Sequence, residues 1–377
     1  MSRCRGNYCF AAVFPISVLL SICCATRADD SLTATFSSSH EYDIPAILEI
    51  VRQGDNDDRT RLWNSLHKQK GMAKVAEAEL WAVFQDRREI ADVRAFAGQL
   101  WQEMADVTDE TQTVLVSIAT SRTEPQPVRM VALSKLVDYS RHHERPQIHN
   151  LLSTIIEDRN DCSEIRAWSA MGICEMFLTP AALENTVVSL KKVLLDQSES
   201  ADLRLSLAET IRVIHLRDQK RYEELVTVLF TIAARRDEAR RLRIQALDSL
   251  AQVGMYAVLL GAELETIKKQ AIPWLIATLK DKTESKKLRD AAGDALGSLG
   301  AIPADKIADL VAILNGPEAF ARPHAAAALG EVGPAAQSIV PVLRKIADDE
   351  SQTKETREAA AEAIETIESD SADDDSR

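Results

Sequence analysis

The chain has 377 residues and a formal net charge of −13 at pH 7, with 46% apolar and 5% aromatic residues. Thirteen glycines and twelve prolines are too few for many short strands and tight turns. The abundant alanine and leucine favour helix, where they lose little side-chain freedom. A surface this acidic repels phosphate backbones and gains nothing from counterion release, which argues against nucleic acid as a ligand.

Residues 1–28 stand apart. Arg3 and Arg5 precede an uncharged, mostly apolar run, CFAAVFPISVLLSICCA (9–25), and Thr26 and Ala28 occupy the −3 and −1 positions of a cleavage site before Asp29. A basic start, a short apolar run and small residues at its end describe a secretory signal peptide. The run is short for a bilayer span of about 20 residues and contains Pro15; an uncleaved anchor over 9–25 is the alternative. Leu20-Ser21-Ile22-Cys23 resembles a lipobox, but Ile22 is bulky where that motif wants a small residue. Cleavage after Ala28 predicts an exported protein, periplasmic or secreted, and takes the formal charge to −16 by removing Arg3, Arg5 and Arg27. Four of the six cysteines leave with it. The remaining two, Cys162 and Cys174, are predicted at the start and far end of one helix, beyond disulfide reach.

Residues 29–43 read as a flexible Ser/Thr-rich leader. Residues 44–74 read as an irregular helical cap, residues 75–368 as a repeat array, and residues 369–377, with SDSADDDSR, as a disordered acidic tail.

The array announces itself in LRDAAGDALGSLG (288–300) and ARPHAAAALGEVG (321–333), near copies thirty-three residues apart. Taking the arginine as a ruler gives eight equivalent segments, at Arg94, Arg129, Arg166, Arg204, Arg243, Arg289, Arg322 and Arg357. The gaps are 35, 37, 38, 39, 46, 33 and 35 residues. Apolar or small side chains recur at offsets −1, +3, +7 and +10, one face of a helix; the +3 position is mostly alanine. Each such helix, B, follows another apolar-periodic one, A, as in 78–89, 111–120, 148–158, 186–196, 224–234, 272–281, 306–315 and 339–349. Pro273 and Pro341 are predicted near the starts of their A helices. A single pair cannot bury its apolar face alone, so neighbours must stack into a solenoid.

The (D/E)-(V/L/I)-R starts, the A-x-x-A-L-G-x-(L/V)-G runs and the helix-A prolines resemble the HEAT-repeat family, in its short bacterial form related to phycobilin-lyase HEAT-like repeats. The resemblance covers about 75–370. The tetratricopeptide and ankyrin signatures are missing. The resemblance implies an all-α, right-handed α-solenoid of stacked antiparallel helix pairs, with the B helices lining its concave face.

The ruler arginines admit two readings: a basic binding ladder, or a structural ladder in which each arginine bonds the preceding acid (Asp92, Asp202) or a neighbouring turn carbonyl. Recurrence at one fixed place in every unit favours the structural reading. Five residues after the ruler, on the face predicted to meet solvent, Glu209, Asp248 and Asp294 form an acidic stripe across three consecutive repeats. It reads as a site for a basic partner segment or as an ordinary solvated face. The connector RHHERPQIH (141–149) gathers His142, His143, Glu144 and His149 and reads as a solvated turn or as a metal site. The wide gap before Arg289 places an insertion near 254–270, read as an extended helix B packing Tyr256, Val258, Leu259 and Leu260, or as part of a binding surface.

No nucleotide-loop, nucleophile-elbow, zinc-protease or haem-attachment motif occurs. HEAT-like deoxyhypusine hydroxylases carry paired His-Glu motifs in symmetric repeats. Here His40-Glu41 lies in the leader and His143-Glu144 in a connector, which does not support an iron site. The expectation is a non-enzymatic exported scaffold without a cofactor, binding a protein or peptide partner, with membrane attachment only if the N-terminal segment stays uncleaved. The alternatives are a metal-dependent or lyase-like enzyme using 141–149, and a purely structural spacer.

Overall fold

The structure is a computed structural model that describes residues 44–68, 76–141, 144–176, 179–211, 219–259, 265–300 and 302–374. The signal segment and the whole leader therefore lie outside the described residues. All regular elements among the described residues are helical. Contacts divide the chain into two units, 1–109 and 110–377.

The first unit holds α1 (Ile44–Gln53), α2 (Asn56–Lys68), α3 (Glu77–Gln85) and α4 (Ala91–Gln102). The segment expected to be an irregular cap contains a regular helix pair, α1 and α2. Arg59 Nη2 donates to the Val51 carbonyl at 2.9 Å and its guanidinium lies over the Phe96 ring, 5.5 Å from the centroid. Leu80, Phe84, Val93, Leu100 and Trp101 form the α3–α4 core, and Trp81 stacks on Trp101 at 4.3 Å between centroids.

The second unit continues with A helices α5 (Asp109–Thr120), α7 (Pro146–Glu157), α9 (Pro180–Leu195), α11 (Gln219–Ala234), α13 (Glu265–Lys280), α15 (Ile307–Leu314) and α17 (Val340–Ala347). Its B helices are α6 (Gln126–Ser140), α8 (Ser163–Glu175), α10 (Ala201–Ile211), α12 (Arg240–Leu259), α14 (Lys286–Ser298), α16 (Arg322–Gly330) and α18 (Lys354–Asp374). Each B helix packs on the next along the row α6–α8–α10–α12–α14–α16–α18, and a second row runs α7–α9–α11–α13–α15. This is the stacked helix-pair solenoid of the HEAT/armadillo type.

The small residue at +3 allows the close stacking: Ala132, Ser169, Ala246, Ala292, Ala325 and Ala360 are wholly buried. At Gly330 the approach is closer still, because a Cβ there would sit 3.1 Å from the Ala363 Cα. The last glycine of each copied run has its own cause. Gly300 (φ 60°) and Gly333 (φ 69°) leave the helix in the left-handed region, where a side chain costs about 1–2 kcal/mol. Thr179 and Ser285 cap their helices by accepting the N–H of Ala182 and Leu288.

Three expectations need correction. Pro273 lies inside α13, because two further turns, beginning at Glu265, precede the expected start; Pro341 does sit at a helix start. The tail expected to be disordered from residue 369 is helical to Asp374: once α18 is anchored by Ala360, Ala363 and Ile367, each added residue costs little. His149, assigned to a connector, lies within α7. The insertion is in part an extended helix B, with α12 running to Leu259; the side chains of Tyr256, Val258, Leu259 and Leu260 lie outside the described residues. Cys162 is exposed, Cys174 buried, and both are free thiols.

Candidate functional site

The ruler arginines point into the array. In each of six repeats the Nε–H donates to the carbonyl ten residues back, at the end of that repeat's own helix A: Arg94 to Phe84, Arg129 to Ala119, Arg166 to Ile156, Arg204 to Leu194, Arg243 to Ala233 and Arg289 to Leu279, at 2.8–3.0 Å. Helix C-termini leave such carbonyls without intrahelical donors. The remaining guanidinium nitrogens reach the turn of the following repeat. Arg129 meets Asp161, Arg166 meets Glu199, Arg204 meets Glu238 and Arg243 meets Glu284, each through a two-pronged pair. Arg289 reaches Glu318 at 3.5 Å while lying over Phe320, and Arg322 takes the neutral amide of Gln352 at 2.7 Å. Arg357 Nε has no acceptor among the described residues.

For Arg129, Arg166, Arg204, Arg243 and Arg289 the partner is thus an acid five residues before the next ruler arginine (four for Glu318). Arg204 spends all three nitrogens on Leu194 and Glu238, leaving Asp202 no part in the contact. The −5 acids Glu89, Glu124, Asp161, Glu199, Glu238 and Glu284 recur in the sequence and are the overlooked signal. In the first unit Glu89 accepts from Arg52 at 2.7 Å.

A second, exposed set of clamps sits in the same turns. Asp86, Asp158, Asp196, Asp281 and Asp349 each accept the backbone N–H two residues on, which closes the turn between helices A and B. Arg122, Arg159 and Arg236 pair with Asp158, Asp196 and Asp281 of the following repeat. Surface pairs of this kind contribute about 0–1 kcal/mol each.

Hydrogen bonds from Arg166 and Arg204 hold the carboxyls of Glu199 and Glu238 below the ordinary 4.5. Their folded values are depressed, so this stabilisation is complete above 4.5 and is lost as pH falls through that value towards the folded ones. Thermal melts should therefore show a midpoint that drops steeply below about pH 4.5, and less steeply in Glu238→Gln, which has one such group fewer.

Glu209, Asp248 and Asp294 are exposed on α10, α12 and α14, three consecutive members of the B-helix row. Beside them, at +1, Leu205 and Ile244 are half-buried and Asp290 is exposed. The +5 position to the N-terminal side carries the half-buried Ser134 and Met171.

Of the connector's three histidines, His149 is among the described residues. His149 is buried, 3% exposed, and its Nε2 lies 2.8 Å from Thr186 Oγ1. Thr186 gives its own hydrogen to the Ala182 carbonyl, so Nε2–H is the donor; burial lowers the pKa of the ring. His142 and His143 lie outside the described residues. Among the described residues no group of three or more His, Cys, Asp or Glu is placed to hold a metal, and no helix is long and apolar enough to cross a membrane.

No family model matches the chain, and no curated protein does. Solved structures do. A multiply substituted Kap121p is 14% identical with a TM-score of 0.52, covering 86% of this chain and 41% of that one. Kap121p bound to RanGTP is 13% identical with a TM-score of 0.51, covering 87% and 41%. The chain thus spans about two fifths of the length of these proteins. At this identity the likeness is one of fold: an all-α solenoid of stacked helix pairs.

Proposed function

We propose that the chain is a non-enzymatic scaffold that recruits a basic segment of a partner protein along the B-helix row at Glu209, Asp248 and Asp294. The observation that carries the reading is that these three acids share one register on three stacked helices, exposed, whereas the ruler arginines of the same helices, Arg204, Arg243 and Arg289, are committed inside the array. Packed helices lie about 8–10 Å apart. An extended chain advances about 3.3 Å per residue, so a cation at every third residue keeps step with the stripe. Leu205 and Ile244 offer apolar contact between the charges. The Kap121p fold carries a protein ligand, RanGTP, in one of the structures above, which is compatible with a scaffold. We further propose export by way of residues 1–28, with cleavage near Ala28; the mass of the secreted chain tests it.

The test of the partner reading is a fluorescein-labelled nine-residue peptide with lysine at every third position, followed by anisotropy at two salt concentrations. The full chain should bind it at low salt and lose about tenfold or more in affinity in Asp248→Lys/Asp294→Lys, with binding weakened by salt. Equal binding by wild type and variant would end the stripe reading.

A further inference from the structure

At the C-terminal end of the stripe a histidine of the next repeat meets two carboxylates. Asp290 and Asp294 stand one turn apart on α14, and His324 of α16 lies across them: Nε2 is 2.8 Å from Asp290 Oδ1 and Nδ1 is 3.3 Å from Asp294 Oδ1. Gly293 makes the room, because a Cβ there would fall 2.4 Å from the His324 Cγ. The imidazole side chain is only 15% exposed.

Both ring nitrogens therefore face carboxylate oxygens. A neutral imidazole has one N–H, so with both carboxylates ionised one contact sets a lone pair against a negative oxygen. The arrangement is satisfied when the ring takes the extra proton as imidazolium, with one N–H for each carboxylate. Burial, opposed by His324 and reinforced by Asp290, raises the Asp294 carboxyl above its ordinary value. The elements packed on α16 are α14, α15, α18 and the short turns at Ala319–Ala321 and Gly333–Ile339. Among the described residues Asp290 and Asp294 are the carboxylates within ion-pair distance of the ring. The nearby cations of α14, Lys286 and Arg289, lie over Phe320.

We propose that His324, Asp290 and Asp294 form a proton-holding latch that covers the end of the acidic stripe and makes its hold on a basic partner depend on pH. With the extra proton, the ring ties α16 to α14 and cancels the charge of Asp294. When the proton leaves, the carboxylates face solvent at full charge and the stripe gains its third anion. The effect on partner binding rests on the stripe reading of the preceding subsection; the latch does not.

Two measurements separate the two. The first is a long-range ¹H–¹⁵N histidine spectrum of the full chain from pH 5 to 8. The latch predicts that both His324 nitrogens carry hydrogen at the acid end, and that Asp290→Asn/Asp294→Asn moves the loss of the second proton to lower pH. One protonated nitrogen throughout, or an unchanged profile in the double variant, overturns the latch. The second is the labelled lysine peptide at pH 5.5 and 8. Its affinity should rise about three- to tenfold with pH in wild type and stay flat in His324→Gln. A latch that titrates while peptide affinity does not change with pH, or while no peptide binds, overturns the regulatory role and leaves the latch standing.

Discussion

Arg204→Ala should destabilise the second unit by about 3–5 kcal/mol, the range for removing one partner of a buried ion pair. Both side chains are almost wholly enclosed, Arg204 at 3% and Glu238 at 4% exposure. The substitution leaves the Glu238 carboxylate without its fork and the Leu194 carbonyl without its donor. Without the fork Glu238 ionises only at higher pH, so the variant's defect should be larger at pH 7 than at pH 4, where the variant's carboxyl takes a proton and the buried charge is lost. Chemical denaturation at the two pH values measures both effects. Arg204→Met/Glu238→Leu, which removes the charges together, should recover much of the loss, because a buried pair replaced by apolar side chains is often neutral in stability.

Trp101→Ala is the largest expected effect in the first unit, about 3–5 kcal/mol, as for other large-to-alanine changes in packed cores. Trp101 is 2% exposed and its ring meets Trp81 at 4.3 Å. Removing it opens a cavity beside Trp81 in the α3–α4 core, where the surrounding helices collapse only in part. The loss should appear in amide exchange as weakened protection over α3 and α4. In an array whose units touch only their neighbours, protection over α14 and α16 should stay within error.

The repeat architecture was legible because two independent patterns coincided: a ruler arginine at near-constant spacing and an apolar face of helical period around it. The small +3 residues and the paired glycines also had local causes, close helix approach and a left-handed exit. The partner of the arginine is not legible locally, because it belongs to the next repeat. Asp92 and Asp202, two residues away, looked like the natural acceptors, whereas the acid that Arg204 grips is Glu238, thirty-four residues on. A contact between repeats leaves only a phase relation in one sequence, here the acid at −5. His149 misled for a related reason: its position beside His142 and His143 suggested a cluster, while the helix start at Pro146 turns it into the core towards Thr186. The stripe of Glu209, Asp248 and Asp294 was readable as a register; the His324 cover over its end was not, since it depends on Gly293 admitting a ring from the next repeat.

The ruler arginines are spent on joining neighbouring repeats. A double-mutant cycle on Arg204 and Glu238, built from Arg204→Met, Glu238→Gln and the double variant and read by chemical denaturation, tests this most directly. The predicted coupling is about 2–3 kcal/mol, the upper range for contacting residues in one network. Additive single effects, with coupling under about 0.5 kcal/mol, would mean that the ladder does not hold neighbouring repeats together, and the central claim would fall.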